Sequence, residues 1–355
     1  MKKIMKALIK LPALAVLVIA SVGNAATPNP FDWQTVPKKD DQITMRLAHS
    51  LNMEWSSQTV ALKRFAELVA IYSDNRIRPV IFPGSQLGGE KEMLQQARQG
   101  VIQVTIPATN NMAQVAPSLN VLLLPYLTQS TEESNYLLDK ITPTLVPRVI
   151  KESGVRIVGW ENTGWRHFFY NAPEAIEKPA DLAPLKMRVP PNAIMLGTYK
   201  SWNASPAPIA WNELYSALQQ GVVEGGDSPV SDIIGMKFDE VISRITRLHY
   251  TILTHPIVVS ERWFQSLDED LQKVVLRAGR ETTEYVRWWQ PQDEARWWEK
   301  AEEAGVEITD IEDETPWAEK ARASWPNYYH LIGKDGEQLT KTATDILESF
   351  KASQQ

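Results

Sequence analysis

Hydrophobic positions along the chain switch between a period of two and a period of three to four, and the switches mark an alternation of strands and helices. Residues 43–48 read as a strand. Over 60–71 the side chains of Leu62, Phe65, Leu68, Val69 and Ile71 fall at helical spacing. A second strand over 77–82 is stopped by Pro83-Gly84, a helix over 90–99 ends at Gly100, and a third strand spans 101–107. This βαβαβ order predicts an α/β fold with a mostly parallel sheet under covering helices. A buried apolar stretch at 121–127, a helix over about 132–151 and a strand over 155–159 complete the run.

After Trp160 the theme repeats with smaller elements. Strands are expected at 167–170 and 186–189, helices after Asn192 and over 211–220, and a return strand at 258–260. Ser266-Leu267-Asp268-Glu269 spells a capping box. The helix predicted from there runs to Ala304, with a kink at Pro291, where a backbone donor is lost. Trp288, Trp289, Trp297 and Trp298 flank that proline and read as packing residues on an element long enough to join two lobes. There is no internal repeat and no low-complexity tract.

The N-terminus changes the picture. Lys2, Lys3, Lys6 and Lys10 precede the apolar run 11–20 and small residues ending at Ala25, the layout of a cleavable secretory signal with Ala26 as the first mature residue. The run is short for a membrane span, and no later segment has a longer uncharged one, so a soluble exported protein is expected. With no cysteine, neither a disulfide nor a thiolate metal site supports the fold. Loss of residues 1–25 removes four lysines and no acids, which takes the formal charge from −6 to −10. Such a surface argues against nucleic acid or an anionic membrane as partner, but a local pair of arginines can still hold a small anion. The mature length suits two lobes.

Arg188 is the candidate for that chemistry. It ends a short apolar strand, and Pro190-Pro191 hold the following chain extended. A rigidly held guanidinium fork suits a carboxylate; a structural ion pair is the equal alternative. Chemistry of other kinds finds no support. There is no Gly-x-Ser-x-Gly elbow, His-Glu-x-x-His motif, phosphate loop or dinucleotide glycine pattern, and Glu281, Glu284 and Asp293 fall on a helix where a solvated face explains them. A secreted carbohydrate hydrolase would need two carboxylates flanking one bond. Nothing calls for a metal or a cofactor.

Several separated motifs carry a resemblance: Phe-Pro-Gly-Ser-Gln-Leu-Gly-Gly-Glu at 82–90, Leu-Lys-Met-Arg-Val-Pro-Pro at 185–191, Ala-Ser-Pro-Ala-Pro at 204–208, Glu-Leu-Tyr-Ser-Ala-Leu-Gln-Gln-Gly-Val-Val-Glu-Gly at 213–225 and Leu-Asp-Glu-Asp-Leu-Gln-Lys-Val-Val at 267–275. In this order they are similar to the extracytoplasmic solute-binding proteins of tripartite ATP-independent periplasmic (TRAP) transporters, the DctP family. The resemblance implies a two-lobed periplasmic-binding-protein-like clamp bridged by the long kinked helix. The clamp closes on an organic acid and passes it to a small and a large membrane subunit driven by an ion gradient, with no ATPase. A binding protein of an ATP-driven importer would share the clamp but not these motifs. The boundaries expected are 1–25 signal, 26–42 extension, 43–163 plus 254–290 for lobe I and 164–253 plus 291–355 for lobe II.

The resemblance also assigns roles. Arg188 grips the ligand carboxylate, and Arg166, in Gly164-Trp165-Arg166, is the second arginine. Trp211 stands against the apolar face of the ligand, and His49, Glu90 and Asn111 occupy ligand-side positions of lobe I. Where relatives often read Asp-Gly-Gln-Glu-Asn-Pro, this chain has Glu224-Gly225-Gly226-Asp227-Ser228-Pro229, and Ala108 replaces a polar residue of sialic-acid binders. Sialic acid is therefore disfavoured. An acceptor-only carboxylate at Asp227 beside Ser228 points to a ligand with hydroxyl or amino donors, such as a uronate or aldonate. A C4 dicarboxylate or 2-oxo acid is the alternative.

Overall fold

The computed structural model describes residues 41–51 and 56–354. The expected signal and nearly all of the 26–42 extension lie outside the described residues. Among the described residues eleven strands are formed: β1 (Ile43–Ala48), β2 (Ile77–Phe82), β3 (Val104–Thr105), β4 (Val155–Trp165), β5 (His167–Tyr170), β6 (Lys186–Val189), β7 (Ser205–Pro208), β8 (Gly225–Ser228), β9 (Arg244–Arg247), β10 (Ile252–Ser260) and β11 (Glu307–Asp310). They build two sheets, β2-β1-β3-β10-β4 and β11-β9-β5-β8-β6-β7. The helices Ser57–Tyr72 and Glu90–Gln99 carry the crossovers that make β1, β2 and β3 parallel, whereas β10 runs antiparallel to β3 and β4.

Two strands carry the chain between the sheets. Only Arg166 separates β4 in the first from β5 in the second, and the path returns from β9 into β10. All nine residues of β10 are buried, as expected for a strand covered on both faces. The β4–β10 ladder is irregular between Leu253 and Thr254 and between Ile257 and Val258, and such irregularities re-aim neighbouring side chains.

The helix Glu269–Glu303 is the third connection, and it continues through Pro291. Its first half puts Leu271, Val275, Ala278 and Val286 into the first lobe's core with Phe65 and Val69. Its second half puts Trp297 and Ala301 into the second lobe's core with Phe169 and Leu214. Trp289 and Trp298 pack at the edges of those two cores, while Trp288 is 63 % exposed and packs into neither. The expected capping box does not form. Ser266 caps the preceding helix, donating to the Trp263 carbonyl at 2.7 Å, and the long helix starts at Glu269 behind Asp268.

The tail 291–355 does not stay with one lobe. Residues Glu307–Asp310 pair with β9 and Trp317 fills the second lobe's core, but the helix Gly336–Ser353 returns to the first. Its apolar side chains Leu339, Ala343 and Leu347 sit one turn apart on one face and pack against Leu137, Ile141 and Leu145 of the helix Thr131–Ser153. The expected third strand is cut to Val104–Thr105, and the expected strand at 155–159 extends to Trp165.

Candidate functional site

A cavity lies where the lobes meet. The first lobe lines it with Ser50, Glu90, Asn110, Asn111 and His255, the second with Arg188, Trp211, Ser228 and Asp232, and Arg166 joins them from the crossing. Ser50, Glu90, Asn111 and Trp211 also border a wider groove leading outward.

Arg188 lies on β6, which is held between β7 and β8. The two prolines behind it end the strand, and its Nε donates to the Ile209 carbonyl at 2.9 Å. The residue is 2 % exposed, Nη1 is fully buried, and neither Nη has a hydrogen-bond partner among the described residues. No carboxylate forms a salt bridge with it there. Burial, then the neighbouring charge of Arg166, pushes its pKa down to about 10, so it remains cationic at neutral pH. The Trp211 ring faces the guanidinium, with Cζ 5.6 Å from the ring centroid, and packs on Phe238. Trp211 is therefore at the cleft, where it shapes the arginine as well as a wall.

Arg166 is buried and donates twice to Asp227, from Nε to the carboxylate and from Nη2 to the backbone carbonyl at 2.7 Å. The Tyr250 hydroxyl donates to the same carboxylate oxygen. This corrects the expectation for Asp227. Side chains alternate along β8, so Ser228 lines the cavity while Asp227 turns under Arg166 and neutralises it. Gly226 lets β8 sit this close: a Cβ there would lie 2.9 Å from the Phe169 ring and 3.3 Å from the Arg188 carbonyl.

On the first lobe, Glu90 opens the helix Glu90–Gln99 and is a hub. One oxygen accepts from Ser50 Oγ at 2.8 Å; the other accepts from the Ala108 amide at 3.0 Å and Asn111 Nδ2 at 2.7 Å. Both Glu90 and Asn111 line the cavity. His49 does not. It is fully buried, and neither ring nitrogen has a partner among the described residues. Burial, and then the charge of Lys63, lowers its pKa to about 4. The side chain facing the cleft belongs to the next residue, Ser50.

Two titratable cavity-lining groups escaped the sequence reading. Asp232, in the short helix Val230–Gly235, accepts one hydrogen bond, from Ser228 Oγ at 3.3 Å. Burial raises its pKa to about 7 against the opposing charge of His255. On β10, His255 Nδ1 lies 2.5 Å from a Glu161 oxygen and 3.1 Å from Thr163 Oγ1. Burial lowers the imidazole pKa, but the charge and hydrogen bond of Glu161 outweigh it, and the net shift is upward. Among the described residues no group of side chains has the composition of a metal site.

Two α/β lobes joined by two strands and a helix, with buried arginines facing the cleft, define a solute-binding clamp. The chain belongs to the bacterial extracellular solute-binding protein family 7, DctP, whose pattern matches residues 47–331. It is 31 % identical over 83 % of its length to a solute-binding protein of Sulfitobacter sp. strain NAS-14.1, covering 87 % of that protein. It is 26 % identical over 72 % of its length to the 2,3-diketo-L-gulonate-binding periplasmic protein YiaO of Escherichia coli K12, covering 78 % of it. A solved TRAP periplasmic solute-binding protein of Rhodobacter sphaeroides, in an open apo form, superimposes with a TM-score of 0.75 at 36 % identity, over 87 % of this chain and 99 % of that one. Proteins of this family are carriers and not enzymes, so the hydrolase alternative is set aside.

Proposed function

We propose that this protein is exported to the periplasm, captures a hydroxylated monocarboxylate, a uronate or aldonate, between its lobes, and delivers it to the small and large membrane subunits of a TRAP transporter. The observation that carries this reading is Arg188, a buried cation with no counter-ion among the described residues, on the wall of the cavity between the lobes. Burying an unpaired charge costs several kcal/mol, and a ligand carboxylate accepting from both Nη atoms offsets that cost. Arg166 already has its anion in Asp227 and lines the same cavity beside Arg188. The similarity to a relative named for 2,3-diketo-L-gulonate, itself a hydroxylated acid, supports the ligand class.

In this reading Arg188, Trp211 and Ser228 hold the acid on the second lobe, and Glu90 orients Ser50 and Asn111 on the first. Contacts to both lobes favour the closed arrangement, with β4, β10 and the long helix as the hinge. The test is Arg188→Met, which keeps the stem and removes the charge. Calorimetry against a panel of organic acids should show binding by the parent and none by the variant. In the ligand-free state the variant should melt a few degrees higher, since the desolvation reflected in a shift from 12.5 to about 10 amounts to roughly 3 kcal/mol at neutral pH. Submillimolar binding by Arg188→Met removes that residue from its central place.

A further inference from the structure

The cleft contains two buried side chains with free hydrogen-bonding capacity that the carboxylate grip does not use. Asp232 is 4 % exposed and His255 is 2 % exposed, and both line the cavity. Asp232 Oδ2 takes only the 3.3 Å bond from Ser228, and Oδ1 has no partner among the described residues. The His255 ring is fixed at its Nδ1 edge. Nδ1 lies 2.5 Å from a Glu161 oxygen, and Thr163 Oγ1, which itself donates to Glu161, closes the same edge. That leaves Nε2 without a partner among the described residues. Neither atom is among the fully buried ones, so both are reachable from the cavity that the two residues line and are open to a group that arrives with the ligand.

The chemistry of that group follows from the pair. We propose that Asp232 and His255 form a hydroxyl-reading subsite, in which Asp232 Oδ1 accepts from a ligand hydroxyl and His255 Nε2 makes the second contact to the same hydroxyl or its neighbour. A hydroxyl both donates and accepts, whereas a carboxylate only accepts and an ammonium only donates. A second carboxylate would meet the carboxyl of Asp232 with that of Glu161 close behind, so a dicarboxylate is disfavoured. Other polar groups are less available for this task. Glu90 spends its oxygens on Ser50, Ala108 and Asn111, and Asp227, which bonds Arg166 and Tyr250 through one oxygen, does not line the cavity. Asp232 and His255 thus set which acid is taken, an assignment that rests on the organic-acid reading of this cleft.

The experiment measures calorimetric affinities of the whole mature protein for D-gluconate and D-galacturonate, for their unhydroxylated counterparts hexanoate and cyclohexanecarboxylate, and for succinate. The parent is expected to prefer a hydroxylated acid. Asp232→Ala is expected to lower that affinity roughly tenfold or more and leave the counterpart's affinity unchanged, with Asp232→Asn and His255→Gln showing smaller losses of the same selectivity. Circular dichroism of each variant checks the fold, and the milder pair carries the test if Asp232→Ala does not fold. Parent binding of succinate or of the unhydroxylated acids in preference overturns the subsite and leaves the organic-acid reading standing. The same holds if all variants keep the parent's preference. Failure of every acid to bind the parent overturns both.

Discussion

Arg166 and Asp227 form a two-point buried ion pair directly behind the cleft, with Tyr250 donating to the carboxylate from a third direction. The consequences of breaking it are asymmetric. Asp227→Ala leaves Arg166 buried beside Arg188 with no anion for either, and removal of one partner of such a pair typically costs about 3–5 kcal/mol. The expected outcome is a fall of that size in urea-denaturation stability of the ligand-free protein, partly restored by a saturating acid ligand that supplies a replacement charge. A loss below about 1 kcal/mol would show that the pair is not needed to neutralise the site.

The sequence made the cationic face of the cleft legible because its signals are local. Pro190-Pro191 behind Arg188, Gly84 and Gly89 around Glu90, and the short 167–170 and 186–189 strands announce themselves over a few residues. What failed to show was orientation. His49 and Ser50 are adjacent, as are Asp227 and Ser228, and in each pair the notion of a ligand-facing position fell on both or on the wrong member because facing alternates with strand geometry. Asp232 and His255 were missed for a different reason. Asp232 sits in a six-residue helix and His255 in an otherwise apolar strand, and only tertiary packing brings them to one wall. Likewise β8, with the sequence Gly-Gly-Asp-Ser, has no strand-forming residue to betray it; neighbouring strands and the close approach its glycines permit make it a strand. The return of the helix Gly336–Ser353 to the first lobe depends on a matching apolar face on Thr131–Ser153 far away in sequence.

The long helix lies directly on β4 through a pair of glycines. A Cβ at Gly279 would come within 2.0 Å of the Val158 carbonyl oxygen, and one at Gly159 within 2.5 Å of the Gly279 carbonyl oxygen. Backbone on both sides leaves nothing flexible to give way. Gly279→Ala should therefore cost about 2 kcal/mol or more, although alanine is the better helix former by about 1 kcal/mol. Melting of the variant against the parent checks this, and an unchanged or raised Tm would mean that helix and strand are not locked at this point. Because the same helix joins the lobes, the variant should also weaken ligand affinity if closure depends on that seating.

Acid should destabilise the protein through buried histidines before it titrates ordinary carboxylates. His49 and His167 are held neutral, chiefly by burial, with pKa values lowered to about 4 and about 3. In the unfolded chain each takes up a proton near pH 6.5, so between there and pH 4 the unfolded state binds more protons and stability rises with pH. The stability due to neutral His49 is thus fully present above pH 6.5 and is lost as pH falls toward 4, by up to about 1.4 kcal/mol per unit. Asp232 acts in the opposite sense. Its pKa is raised to about 7, so the folded state holds its proton longer than the unfolded one and stability falls as pH rises from about 4 to 7. Urea-denaturation midpoints at pH 5 and pH 7.5 separate the two. His49→Leu, which removes two buried nitrogens without a partner among the described residues, should lose less stability on acidification than the parent, and Asp232→Asn should lose more. Parallel pH profiles for His49→Leu and the parent would show that His49 does not couple protonation to folding.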